Sequence, residues 1–201
     1  MKKLLISALV GFGAIYSATS ASAAITFEFN TVLEGNPEGG PLFARLTFVN
    51  AGVDTVTMTL ENTAILPAAD GQAIKDLLLN LDPFVSGTIT SGSSKFVGYE
   101  FKEDGFNDVS AHFDLMINFD TMSGNRLLPG DTVVMTATGL GLTEDSFNTL
   151  SNSGGDEYLG MIQLIGSPPD GDTAKVAAVP EPASCIALGL GALALLRRRR
   201  R

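Results

Sequence analysis

Few side chains in this protein are suited to catalysis, and their spacing matches no catalytic pattern. Nucleophilic catalysis requires a base beside the nucleophile, but the only histidine, His112, lies on the polar face of a run in which apolar and polar residues alternate. No Gly-x-Ser-x-Gly elbow accompanies it. The only cysteine, Cys185, lies in an apolar run near the C-terminus, so a zinc site would depend almost wholly on carboxylates. We therefore assign no catalytic residue and no metal ligand, and we expect that the chain is not an enzyme.

Carboxylates are abundant, and they cluster at Glu100–Asp108, at Asp114 with Asp120, and at Asp170–Asp172. Oxygen ligands on loops are those that Ca²⁺ uses, but no stretch matches an EF-hand loop. Acidic clusters are also expected by composition in a chain this acidic, and they more often form a solvated face. We therefore predict no cofactor, and Ca²⁺ binding is the alternative. A carboxylate pair could also hydrolyse glycosides, but the sequence singles out no pair.

Charge divides the chain into an acidic body and two basic ends. The full sequence of 201 residues carries a net charge of −9. Residues 24–179 hold 6 basic and 21 acidic side chains, which gives this body a charge of −15. A surface this acidic repels phosphates, so we expect no nucleic acid among its partners.

The first 23 residues match a secretory signal peptide. Lys2 and Lys3 form its positive start, residues 4–16 form an apolar stretch, and Ala21-Ser22-Ala23 is a small-residue cleavage site. We predict cleavage after Ala23, so that the mature chain begins at Ala24. The implied partners are the Sec translocon and signal peptidase, and the implied route is export across the inner membrane.

Between the two ends, apolar and polar residues alternate repeatedly with a period of two, as is typical of β-strands. Clusters of Gly, Pro, Asn and Ser separate these runs. Many short strands with one polar face predict an all-β fold over residues 24–166, an antiparallel β-sandwich resembling a jelly roll. The runs concerned are 25–29, 44–48, 56–60, 88–90, 96–101, 112–120, 133–138 and 158–165.

Three segments of the body depart from this strand pattern. Gly71–Leu79 is predicted to form a short helix with Asp70 as its N-cap. Glu144–Leu150 is predicted to form a further helical turn. Residues 167–178 contain two prolines, Asp170-Gly171-Asp172 and several alanines, and they are predicted to form a flexible stalk between the domain and the tail.

The chain ends with a Pro-Glu-Pro triplet, an apolar run and an arginine block. Proline fixes its own φ and extends the residue before it, so Val179, Pro180, Glu181 and Pro182 are predicted to form a stiff, extended strip that suits a processing enzyme. Residues 183–196 carry no charge. As a helix they span about 21 Å, against ~30 Å for the hydrocarbon core of a bilayer. We predict a short transmembrane helix whose terminal arginines reach a thinned interface.

The arginine block also predicts the orientation of the chain, because positive residues beside a membrane segment are retained on the cytoplasmic side. It thus acts as a topology stop that keeps the far end of the tail inside, as Lys2 and Lys3 do at the front. The acidic body between them must then face outward. The block consists of Arg197, Arg198, Arg199, Arg200 and Arg201.

Together, Val179-Pro180-Glu181-Pro182, the short helix rich in Gly, Ala and Leu, and the arginine block resemble the PEP-CTERM sorting signal of Gram-negative bacteria. The resemblance covers Val179–Arg201 alone. The same tail is also labelled an ice-binding protein C-terminal domain, which implies nothing about ice. The resemblance implies that an exosortase, a membrane enzyme that processes such tails, recognises Pro180-Glu181-Pro182. It also implies an association with exopolysaccharide and the extracellular matrix.

We therefore expect an exported, exosortase-processed, non-enzymatic protein that is membrane-anchored transiently and then lies at the cell surface or outside the cell. The alternative is a β-sandwich module that binds carbohydrate or Ca²⁺. Sugar sites favour aromatic platforms, but the chain has no tryptophan, and only Tyr99 and Tyr158 of its tyrosines follow the signal peptide. The 12 phenylalanines lie mostly on predicted inward faces, so we expect them in the core.

Overall fold

A computed structural model of the protein describes residues 24–65, 72–153, 157–167 and 172–180. These residues form eleven β-strands and one 3₁₀ turn at Glu144–Phe147. The strands are β1 (Ile25–Glu34), β2 (Ala44–Gly52), β3 (Thr55–Asn62), β4 (Ala73–Leu79), β5 (Thr88–Thr90), β6 (Phe96–Asp108), β7 (Ala111–Phe119), β8 (Thr132–Thr138), β9 (Asn152–Ser153), β10 (Gly160–Ser167) and β11 (Asp172–Ala178). The predicted signal peptide and most of the predicted tail lie outside the described residues.

The alternating runs form strands with one buried face. In β3, every second residue is buried, and Val56, Met58 and Leu60 point into the core. In β7, Leu115, Ile117 and Phe119 are buried in the main core, as the period of two predicts. Phe113 is also buried, but in a second hydrophobic cluster, beyond the register shift between β6 and β7. The alternation therefore identifies the strands and, in β3 and in the later part of β7, the side that faces the core.

The strands form one continuous antiparallel sheet in the order β5-β8-β3-β2-β1-β11-β10-β4-β7-β6, with β9 paired to β7. Strands from the whole length of this order contribute to one core, which contains Ile89 of β5 and Leu115 of β7 as well as Phe27 of β1. The sheet therefore curls around a single interior. The all-β antiparallel prediction is confirmed, but the structure has one hydrogen-bonded sheet where a sandwich has two, because β11 joins β1 to β10.

Phenylalanines supply much of the core, as expected from their positions. Phe48 of β2 stacks on Phe147 of the 3₁₀ turn with ring centroids 4.6 Å apart. Phe27 meets Phe48 edge to face at 5.0 Å. Aromatic pairs in these arrangements are favourable beyond the area that they bury. The buried phenylalanines are Phe27, Phe29, Phe43, Phe48, Phe113, Phe119 and Phe147.

The helix predicted at Gly71–Leu79 is wrong, because Ala73–Leu79 is strand β4. This strand pairs with β10 on one side and β7 on the other. Both of its faces are covered, so it carries a nearly continuous apolar run instead of an alternating one, and such a run does not distinguish a buried strand from a short helix. The predicted cap, Asp70, and Gly71 lie outside the described residues.

The prediction of a flexible stalk at residues 167–178 is also wrong where the structure describes them, because Asp172–Ala178 is strand β11 in the middle of the sheet. Val176 and Ala178 are buried in the core, and Ala177 is buried on the opposite face. The helical turn predicted at Glu144–Leu150 is present as the shorter 3₁₀ turn, with Thr143 and Ser146 forming a capping box.

Candidate functional site at the end of the last strand

The last strand leads into the predicted sorting motif without a linker. Ala178, the final residue of β11, lies opposite Phe29 of β1. Its carbonyl oxygen accepts a hydrogen bond from the backbone N–H of Leu159 at 2.8 Å. Val179 follows at once and is half-buried, and Pro180 is exposed. Of the four predicted recognition residues, the structure thus places Val179 and Pro180 at the rim of the domain, whereas Glu181 and Pro182 lie outside the described residues.

Val179 packs against a second, smaller hydrophobic cluster. Successive residues of a strand point to opposite faces, and Ala178 belongs to the main core while Ala177 belongs to this cluster. The cluster therefore lies on the outer face of the sheet. The tip of the β6–β7 hairpin covers it, since Phe113 is buried there and Val109 packs beside it. The remaining members, including partly buried ones, are Leu33, Leu78, Phe106, Ala111, Tyr158 and Met161.

Lys175 anchors the last strand to its neighbours through two ion pairs. Its Nζ lies 2.5 Å from Oδ1 of Asp108 at the hairpin tip and 2.8 Å from Oε2 of Glu34 on β1. Burial alone lowers the pKa of Lys175, but the hydrogen bonds and the charges of Asp108 and Glu34 together outweigh it. The pKa of Lys175 is therefore raised above its ordinary value. The charged form of this lysine is thus the one that the fold stabilises.

A groove lies beside Pro180, at the start of β1. It has a volume of about 220 Å³, and we call it the exit groove because the chain leaves the described domain there. Residues from both ends of the domain line it, so the predicted mature N-terminus and the sorting motif meet at one place on the surface. The lining residues are Ile25, Thr26, Phe27, Glu28, Asn30, Asn148, Leu159, Val179 and Pro180.

A separate acidic cleft gathers part of the predicted carboxylate clusters. It has a volume of about 260 Å³, and its lining includes Asp82, Glu103, Asp104 and Asp114. The carboxylate of Asp114 is already engaged, because Oδ2 accepts from the N–H of Leu81 at 3.0 Å and Oδ1 from the N–H of Asp104 at 2.7 Å. Within the described part of the chain, no three His, Cys, Asp or Glu side chains converge as metal ligands do.

The other residues singled out from the sequence lie apart from this cleft. Asp120 accepts a hydrogen bond from the N–H of Met122 at 2.8 Å, and Asp172 begins β11; Asp170 lies outside the described residues. His112 is half-buried on β7, opposite Asn107. Sequence reasoning missed Asp82, which joins the cleft from the loop after β4. The only sequence feature that could have indicated Asp82 is its place directly before a proline, which is typical of a turn.

Comparison with known proteins bears on the tail. Residues 178–201 match the family model described as the PEP-CTERM protein-sorting motif. The tail is a PEP-CTERM sorting motif. The match starts at Ala178, the last residue of β11, so the motif and the folded domain adjoin. No curated protein and no solved structure matches the chain.

The PEP-CTERM motif implies exosortase processing, and it indicates export, transient membrane anchoring and then a surface location. The apolar run 183–196, predicted as a membrane helix, lies outside the described residues. Among the residues that the structure does describe, no helix is long and apolar enough to cross a bilayer.

Proposed function

We propose that this chain is a non-enzymatic surface or extracellular-matrix protein of a Gram-negative bacterium, exported through the Sec translocon and processed by an exosortase, with an association with exopolysaccharide. The observation that carries the proposal is a PEP-CTERM motif joined directly to the last strand of one folded all-β domain. In this proposal, signal peptidase cuts after Ala23, the helix at 183–196 holds the tail in the membrane, and Arg197–Arg201 keep its end inside.

The geometry of the domain supports this route. Ile25 and Pro180 line the same groove, so both ends of the domain emerge on one side. A signal peptide at the front and an anchor at the back can therefore occupy the same membrane surface while the domain between them folds outward. The acidic body, at −15 over residues 24–179, keeps such a domain soluble and repels it from anionic lipid headgroups.

Mass spectrometry of the protein from cells with and without the exosortase tests the proposal. We expect the mature protein to start at Ala24 in both, and to lack residues beyond the Pro-Glu-Pro triplet only where the exosortase is present. Pro180→Ala should retain the tail, whereas Pro37→Ala, in the other Pro-Glu sequence of the body, should be processed normally. An intact Arg197–Arg201 end in exosortase-containing cells would exclude the sorting proposal.

A second candidate function is a Ca²⁺- or carbohydrate-binding module, and the acidic cleft favours it. Three of its carboxylates, Glu103, Asp104 and Asp114, come from two neighbouring strands, and Asp82 joins them from a loop. A ligand that binds the native state alone raises the melting temperature. A rise on adding millimolar Ca²⁺ or matrix polysaccharide supports this function, and an unchanged melting temperature excludes it.

A further inference from the structure

Strand β1 is flanked unevenly by its two neighbours. β2 pairs with Ile25–Phe29, whereas β11 pairs with the later part of the strand, Phe29–Glu34. Among the described residues, no strand therefore pairs with Ile25–Glu28 on the side away from β2. A strand edge of this kind presents backbone N–H and C=O groups that another extended segment can pair with.

Hydrogen bonds define which backbone groups face this open edge. The carbonyl oxygen of Phe29 accepts from the N–H of Phe43, just before β2, at 2.9 Å. The backbone groups of Phe29 therefore face β2. Successive residues of a strand direct these groups to opposite sides, so those of Glu28 and Thr26 face the open edge.

The backbone groups at the end of β11 alternate in the same way. The carbonyl oxygen of Ala178 faces β10, because it accepts from Leu159. In an extended continuation, the backbone groups of Val179 and Glu181 face β1, and the nitrogens of Pro180 and Pro182 face away from it. If the strand continued in the register that pairs Phe29 with Ala178, Val179 would lie opposite Glu28 and Glu181 opposite Thr26.

The spacing of the two prolines fits this edge. Proline has no N–H, and a strand tolerates it where its nitrogen points away from the ladder. Pro180 and Pro182 are two residues apart, so in an extended continuation both nitrogens would point away from β1 and the N–H groups of Val179 and Glu181 would point towards it. Pro180 also lines the exit groove with Ile25–Glu28, so there is open space beside the edge where the next residues follow.

We propose that the folded domain binds its own sorting motif, with Glu181 and Pro182 extending β11 along the open edge of β1. No linker separates the motif from β11, so the effective concentration of the segment at the edge is high, and a weak pairing is enough to populate the bound form. The consequence for processing rests on the proposed function: an exosortase must displace the segment from the edge before it can act on the motif.

Cysteine cross-linking in the full chain tests this pairing. We introduce Thr26→Cys and Glu181→Cys together with Cys185→Ser, so that these two thiols are the only ones in the protein. Directly opposite residues have Cα atoms about 4.5–5.5 Å apart, which is within the range that a disulfide spans. After export to the oxidising side of the membrane, we expect most molecules to contain the intramolecular 26–181 disulfide, detected as a linked peptide.

The matched control moves one cysteine to the next strand. Thr47 lies opposite Thr26 on β2, so Thr47→Cys is two strand spacings from Glu181→Cys, about 10 Å. We expect at least ten times less disulfide in this control. Equal yields in the two pairs, no 26–181 bond, or a bond only between two chains would each overturn the pairing. The cross-linking measurement needs no exosortase, so the absence of the 26–181 disulfide would not contradict the sorting proposal. In the same way, an uncut tail in cells that contain the exosortase would not contradict the pairing of the motif with β1.

Discussion

Phe29 in the first strand lies directly opposite Ala178 in the last strand, and both side chains are buried in the main core. The sorting motif therefore begins at a central strand of the sheet, with β1 on one side and β10 on the other. Removing this strand exposes the core and leaves the backbone groups of two neighbours unpaired. The integrity of the domain thus depends on the chain up to the edge of the motif.

Truncation on either side of β11 tests this dependence. A chain of residues 24–182 should unfold cooperatively, whereas a chain of residues 24–171 should show no cooperative transition, because it lacks Val176 and Ala178 and both ladders of β11. Circular dichroism during thermal unfolding measures both. Equal melting temperatures would show that residues 172–178 contribute nothing to the core.

A strand can be recognised in the sequence when one of its faces is buried and the other is exposed. When both faces are buried, the sequence does not distinguish the strand from a helix or a linker. β3 and residues 115–119 of β7 alternate because one face is buried in the core and the other is only partly buried, and their burial follows the prediction. β4 and the end of β11 are covered on both faces by neighbours distant in sequence. Their apolar or small residues therefore carry no period that separates strand from helix or linker.

In the tail, too, features set by consecutive residues can be read from the sequence, whereas features set by contacts distant in sequence cannot. The order of Pro180-Glu181-Pro182, apolar run and arginines is a local pattern, so the sequence identifies it as a sorting motif. The packing of Val179 and the exit groove depend on the pairing of Phe29 with Ala178. No local pattern contains that pairing, because it joins the two ends of the domain.

The stacked pair Phe48 and Phe147 should contribute strongly to stability. Both side chains are fully buried, so Phe48→Ala removes a stacked ring and leaves a cavity. We expect a loss of about 3–5 kcal/mol in the free energy of unfolding, measured by chemical denaturation. Leu140→Ala is the control, because Leu140 is 86% exposed and such surface changes stay within about 0.5 kcal/mol. Equal effects of the two variants would contradict the role of the pair.

Two glycines that flank β5 should differ sharply in their response to alanine. A Cβ on Gly87 would lie 2.3 Å from the carbonyl oxygen of Thr138, whereas a Cβ on Gly92 meets nothing within 4 Å. Gly87→Ala must push β5 away from β8, and we expect the free energy of unfolding to fall by about 1–3 kcal/mol. Gly92→Ala should be neutral or slightly stabilising, by up to about 1 kcal/mol. Thermal unfolding of the two variants checks this, and similar melting temperatures would contradict it.

The ion pairs of Lys175 should make the free energy of unfolding depend on pH in the alkaline range. Its pKa is raised in the folded state, so its stabilising contribution is complete below the ordinary pKa of lysine and is lost as the pH rises through the raised value. Lys175→Met should therefore lower the free energy of unfolding at pH 7, and the difference from the natural protein should narrow at high pH. Lys102→Met, at an exposed position on β6, should show no such trend. If the difference in free energy of unfolding between the natural protein and Lys175→Met stayed constant with pH, the titration of Lys175 would not be coupled to folding.

Asp114 should act as a structural acceptor of hydrogen bonds in the acidic cleft. Its two carboxylate oxygens accept from the N–H groups of Leu81 and Asp104, and the residue is 8% exposed. Asp114→Asn replaces one acceptor with a donor, so one of these two N–H groups loses its partner. We expect the free energy of unfolding to fall by about 1–3 kcal/mol, as measured by chemical denaturation.

The dependence on Ca²⁺ separates this structural role from a ligand role. If Asp114 serves the backbone alone, the loss is the same in Ca²⁺ and in a chelator, because no bound ion is lost with the carboxylate. Glu103→Gln, at an exposed position lining the same cleft, should change stability by no more than about 0.5 kcal/mol. A melting temperature that Ca²⁺ raises in the natural protein but not in Asp114→Asn would contradict a purely structural role, because it would show that the carboxylate also contributes to Ca²⁺ binding.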